Sequence, residues 1–122
     1  MLSSRFSYDN VLFYKRKISG LIDFYYACNN YLICDLSIVI ISWCFQKNTE
    51  PVKLNTNKLK NILKGYNNIR RITKKELNVL NLVNKIYCIR FFLTRLIDMD
   101  KNLNSKYIQT KDPIEFYNKF LY

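Results

Sequence analysis

The sequence predicts a mainly α-helical fold that opens with a β-hairpin. Three observations carry that expectation. Apolar residues recur at helical spacing through the second half of the chain, and only two glycines and two prolines interrupt 122 residues. The one stretch that reads as paired strands lies near the N-terminus. Hydrophobic residues make up 49% and aromatic residues 16% of the chain, which excludes the composition of a disordered polypeptide. The length suits one domain or part of one, with a real but modestly stable core.

Asn10 to Tyr14 is a short β-prone run, Lys15-Arg16-Lys17 a polar turn, and Ile18 to Phe24 a second strand, giving a hairpin over about 10–24. So small a pair is marginal in water and must pack on something larger. Tyr31 to Gln46 is almost continuously apolar, broken by Asp35 and Ser37, and its length favours a buried helix over about 31–46. A polar stretch with Pro51 follows. Leu59, Ile62, Leu63, Tyr66 and Ile69 then predict a helix over about 56–70 with one buried stripe, capped by Asn55 or Thr56.

Thr73-Lys74-Lys75-Glu76 is a capping box, in which hydroxyl and carboxylate satisfy each other's orphan amides. It opens a helix over about 74–98, with Leu77, Leu80, Val83, Tyr87 and Arg90 or Phe91 on one face and Leu93 and Leu96 nearby. Lys101 to Thr110 reads as a polar loop. Asp112 followed by Pro113 starts a last helix, 113–121, whose apolar residues are Ile114, Phe116, Tyr117, Phe120 and Leu121. No repeat or linker divides residues 1–122.

Twenty Lys and Arg against nine Asp and Glu leave a net charge of +11, which raises nucleic acid or an anionic membrane as partners. The basic residues are scattered, with Arg70–Arg71 and Lys74–Lys75 the tight pairs outside the hairpin turn. Lys, Asn, Ile and Tyr, the products of AT-rich codons, crowd the sequence, so compositional drift accounts for the charge. Four cysteines form no Cys-x-x-Cys pair and histidine is absent, which argues against a zinc site and against histidine chemistry. Cys34 and Cys44 read as small buried hydrophobes. The longest apolar run, Leu36 to Phe45, is too short to span a bilayer. A reduced, cytoplasmic protein is expected.

Asn10, Asp23 and Asp35 stand out by their settings. A carboxylate at a strand end and an amide just before the hairpin partner can bring two oxygens to one point, as Mg²⁺ requires. Spacing alone favours the plainer reading, in which both are turn residues.

The segments Asp9 to Phe13, Ile18 to Asn30, Tyr31 to Leu36, Trp43 to Phe45, Arg90 to Leu96 and Lys111 to Pro113 resemble, in order, the C-lobe of homoserine kinases of the aminoglycoside-phosphotransferase-like, protein-kinase-like superfamily. The resemblance implies an α+β kinase C-lobe, ATP and Mg²⁺ as cofactors, L-homoserine as substrate, and a place in threonine biosynthesis. It implies that Asn10 matches the metal-holding Asn of a His-x-Asp-x-x-x-x-Asn catalytic loop and Asp23 the second metal ligand, comparable to the Asp of Asp-Phe-Gly. Asp35 matches a buried carboxylate that supports the loop. The sequence departs from the pattern where it matters for turnover: Arg5 stands at the catalytic base and Ser3 at the family His.

The expectation is therefore a C-terminal fragment, its N-terminal lobe absent, that is inactive alone unless a separately encoded N-terminal lobe joins it. Arg90 and Arg95 are candidates for holding the substrate carboxylate, or else side chains of a solvated helix face. Tyr25, Tyr26, Phe91 and Phe92 read as core. The face that meets the missing lobe would be exposed and apolar, so poor solubility or self-association is expected. The alternative is a small basic helical module for nucleic acid or a protein partner, which would need its lysines gathered on one helix face; here they surround several.

Overall fold

A computed structural model describes residues 2–3, 8–24, 28–46, 51–101 and 111–122. Among them the chain is mainly helical, with two small antiparallel ladders at the N-terminal end. β1 (Leu2–Ser3) pairs with β4 (Cys28–Asn29), and between them β2 (Val11–Tyr14) pairs with β3 (Lys17–Leu21). The helices follow as α1 (Leu32–Trp43), α2 (Thr56–Ile69), α3 (Lys74–Lys101) and α4 (Ile114–Leu121).

The β2–β3 turn explains the hairpin's register. Lys15 and Arg16 both adopt positive φ, 47° and 63°, the backbone that two-residue turns use to match the strands' right-handed twist. Tyr14 pairs with Lys17, Phe13 with Ile18 and Leu12 with Gly20, so Ser19 is the extra residue of a β-bulge. A bulge bends its strand and re-aims the residues beyond it, here the segment leading to Asp23.

α1 is the centre of the packing. Ile38 and Ile41 meet Tyr87, Cys88 and Phe116 from α3 and α4 on one side. Ile33, Leu36, Ile40 and Cys44 meet Leu59, Ile62, Leu63 and Tyr66 of α2 on the other. A run rich in Ile and Val has strand propensity, yet burial on both sides outweighs a few tenths of a kcal/mol per residue. Beyond α1 the chain folds straight back: Phe45 and Leu54 bridge, and the Asn55 amide donates to the Cys44 carbonyl at 2.6 Å. The Asn55 side chain then accepts from the Lys58 amide at 3.0 Å, capping α2.

The capping box forms as read. Glu76 Oε2 accepts from the Thr73 amide at 2.9 Å, and the Glu76 amide donates to Thr73 Oγ1 at 3.2 Å. Arg70 bonds the other oxygen of Glu76 at 2.7 Å. That guanidinium, followed by the Thr73 amide, holds the Glu76 carboxyl down at about 2. Asp112 caps α4, its carboxylate accepting from the Ile114 amide at 2.8 Å.

Several expected core positions lie outside the core. Ile69 is 92% exposed, because α2 ends there and the chain turns out at Arg70; Ile72 of the connection packs in its place. Leu77 and Leu93 are exposed, since α3 turns only the stripe through Leu80, Val83, Tyr87, Cys88 and Phe91 inward. α3 also runs on to Lys101, and what remains of the expected polar loop lies outside the described residues. In α4, Ile114, Tyr117 and Leu121 face out while Phe116 and Lys119 are buried. Phe116 and Lys119 lie three positions apart on the face turned to α1, α3 and Phe45.

Cys44 takes its expected buried place, Cys88 joins it, and Cys34, also expected inside, is only half-buried. Burial pushes the Cys44 and Cys88 thiols up to about 11, far from reactive thiolate character.

Candidate functional site

The mouth of the hairpin brings Asn10 and Asp23 together. Asn10 closes a short 3-10 turn, Tyr8–Asn10, that leads directly into β2. Its carbonyl accepts from the Ile22 amide at 3.0 Å, and its side-chain Nδ2 donates to Asp23 Oδ2 at 3.3 Å. The two ends of the hairpin are thus tied by both backbone and side chains. Asn10 is buried and Asp23 exposed.

Asp23 holds φ at 63°, a left-handed conformation that L-residues other than Asn and Asp rarely adopt. Backbone of this kind persists where surrounding contacts enforce it, and it clusters at ligand sites. Here the Asn10–Ile22 bond and the bulge at Ser19 enforce it. The carboxylate that results points to the buried amide rather than along the strand.

Beneath the same hairpin, Asp35 in the first turn of α1 lines an apolar cleft of about 660 Å³ with Val11, Phe13, Leu21, Trp43 and Tyr66. Lys58 and Asn61 of α2 complete its polar rim. Sequence reasoning passed over those two, although they flank the apolar stripe of α2. Asp9, next to Asn10, forms an ion pair with Lys111, fastening the approach to the hairpin onto the segment before α4.

The remaining site residues fall elsewhere. Arg90 lies over the Tyr87 ring, 5.7 Å from its centroid. Arg95 bonds Glu115 at 2.8 Å and the Asp112 carbonyl at 2.6 Å, and covers the Phe116 ring at 4.4 Å. Burial pushes the Glu115 carboxyl up, but bonds from Lys119 and Arg95 outweigh it and hold the group below its ordinary range. Arg5, Tyr25 and Tyr26 lie outside the described residues, and the side chain of Ser3 does too.

A divalent cation can be tested against this arrangement. Among the described residues no three His, Cys, Asp or Glu side chains gather to hold a metal. An all-protein cage is thereby excluded among them. One carboxylate and one amide within hydrogen-bond distance instead suit Mg²⁺, which takes few protein oxygens and fills its octahedron with water and phosphate. The Asp23 carboxylate suits the ion, and Asn10, whose Nδ2 faces that carboxylate here, would have to turn its amide to offer Oδ1.

Residues 6–61, which include the whole hairpin and α1, match the phosphotransferase enzyme family. Over 111 residues the chain is 40% identical to a homoserine kinase of Sinorhizobium fredii and 41% identical to those of Rhizobium meliloti and Agrobacterium fabrum. The chain is a relative of homoserine kinases.

The aligned region takes in 91% of this chain but 33–34% of each of those three proteins, so the chain spans about a third of the length of the relatives it matches. No helix among the described residues is long and apolar enough to cross a membrane. The similarity lends nothing to the nucleic-acid alternative.

Proposed function

We propose that this chain is the C-terminal part of a homoserine kinase, the C-lobe of a protein-kinase-like fold that phosphorylates the hydroxyl of L-homoserine with ATP, in the cytoplasm, for threonine biosynthesis. The single observation that carries the reading is the Asn10–Asp23 contact of 3.3 Å across the hairpin mouth, at the two positions that match the family's metal-holding residues. Mg²⁺-ATP supplies the transferable phosphoryl group and the ion neutralises its charge.

The chain's own residues divide the remaining tasks. Asn10 and Asp23 hold the ion, Asp23 giving charge and Asn10 a neutral oxygen. Asp35, beneath the hairpin, steadies the catalytic loop. Arg90 and Arg95 are the candidate clamp for the substrate carboxylate, and Arg95 must leave Glu115 to serve. Arg5 cannot accept the hydroxyl proton, because a guanidinium stays charged. Positioning and electrostatics account for nearly all phosphoryl-transfer catalysis, so these 122 residues by themselves turn over no homoserine. They need an upstream lobe, supplied in the same or a separate polypeptide, that covers ATP.

A reconstitution experiment tests this. The chain is mixed with the N-terminal two thirds of the Rhizobium meliloti relative, and ATP-dependent homoserine phosphorylation is followed. The chain alone and the mixture should both be silent. The Arg5→Asp variant in the mixture should show turnover that Asp23→Ala removes. Turnover by the chain alone, or turnover indifferent to Asp23, defeats the proposal.

A further inference from the structure

α3 has a second apolar stripe that the described fold leaves uncovered. Its inner face packs on α1 and α4, while Val79, Leu82, Ile86, Ile89, Leu93 and Ile97 are each between 41% and 61% exposed. Their spacings run three, four, three, four and four residues, close to the period of a helix–helix seam, over roughly 27 Å at 1.5 Å per residue. A contiguous apolar strip of this length marks a docking surface rather than scattered surface hydrophobics.

We infer that this strip is a self-docking surface, on which a second copy of the chain lays its own α3 antiparallel about a twofold axis. The register is set by the sequence along the helix. With the axis between Tyr87 and Cys88, Ile86 faces the partner's Ile89 and Leu82 the partner's Leu93, while Val79 comes within one position of the partner's Ile97. The same register sets Lys75, at the N-terminal end of the strip, against the partner's Asp100 at its C-terminal end. A twofold interface must be self-complementary, each residue meeting its mirror position, and this stripe satisfies that requirement in both apolar content and charge. Parallel pairing fails it, because Lys75 would face Lys75 and Asp100 would face Asp100. The net charge of +11 opposes association, so a dimer that forms does so through the apolar seam.

The inference stands apart from the kinase reading, since Asn10 and Asp23 lie on the hairpin. It is tested by sedimentation of the 122-residue chain over a dilution series, with far-UV circular dichroism as the folding control. The chain should be a dimer whose dissociation constant rises roughly a hundredfold or more in Leu82→Glu. Asp100→Lys should weaken it roughly three- to tenfold, and adding Lys75→Asp to that variant should restore it. Both end residues are exposed, so this swap remains informative if Leu82→Glu loses helicity.

A chain that stays monomeric at about 200 μM, far above the range of specific dimers, overturns the inference. So does a dimer indifferent to Leu82→Glu, or a double swap that fails to restore. A monomer that binds the N-terminal two thirds of a relative through Leu82 assigns the strip to that segment and also overturns it.

Discussion

Replacing Asp23 with glycine separates the site's chemistry from its fold. In the parent, φ at Asp23 is 63°, which costs an L-residue about 1 kcal/mol that glycine does not bear. Against that gain stands the lost bond from Asn10, long at 3.3 Å and made to an exposed carboxylate, worth about 0.5–1 kcal/mol. The two terms nearly cancel, so Asp23→Gly should unfold within about 1 kcal/mol of the parent. Metal binding should behave differently. The substitution removes one of two protein ligands, and the charged one, so affinity for Mg²⁺-nucleotide should fall at least about tenfold, or ~1.4 kcal/mol.

Urea denaturation measures the first quantity and calorimetric titration with Mg²⁺-ATP the second. Asp23→Asn completes the set, since it retains an acceptor for Asn10 and tolerates the left-handed backbone while losing the charge; it should lose affinity without gaining stability. If Asp23 is only a turn residue, Asp23→Gly will be as stable as the parent or more so and bind nucleotide no worse. Unchanged Mg²⁺-ATP affinity in that variant would refute the assignment of the metal pair.

Other consequences arise from the packing. Ile41 is 1% exposed between α3 and α4, so Ile41→Ala should cost about 2–5 kcal/mol, while Leu121→Ala, at 62% exposure, should stay within about 0.5 kcal/mol; urea midpoints decide both. The Glu76 carboxyl titrates at about 2 in the fold against an ordinary 4.5. Its contribution is therefore complete above pH 4.5 and lost as pH falls toward 2. Glu76→Gln should flatten the acid limb of the stability profile relative to the parent in that window. Arg95→Met removes the Glu115 pair, the Asp112 carbonyl bond and the Phe116 contact, and should destabilise by about 1–3 kcal/mol. Unchanged stability in that variant would free Arg95 for the substrate and contradict its place under α4.

Local chemistry was legible in the sequence where it depends on residues a few positions apart. The capping box at Thr73 and Glu76, the Asn55 cap and the Asp112 start of α4 each involve side chains that reach no further than their own first turn. Length settled α1 as a helix despite its Ile and Val. The juxtaposition of Asn10 and Asp23, 13 positions apart, was readable because a two-residue turn brings hairpin ends together with little freedom.

Tertiary structure alone decided what long-range packing selects. Periodicity marks apolar positions on a helix but not which of two stripes meets the core. Thus α3 turned Leu77 and Leu93 outward, and α2 ended before Ile69 could pack. Lys119 shows the same limit from the polar side. It is 8% exposed, its ammonium bonded to Glu115 and set over the rings of Phe116 and Phe45. No local pattern distinguishes it from a solvated lysine, because the partners that make burial tolerable come partly from another element of the fold. The sequence determined which segments become helix, hairpin and cap; the neighbours each helix found determined which of its faces went dry.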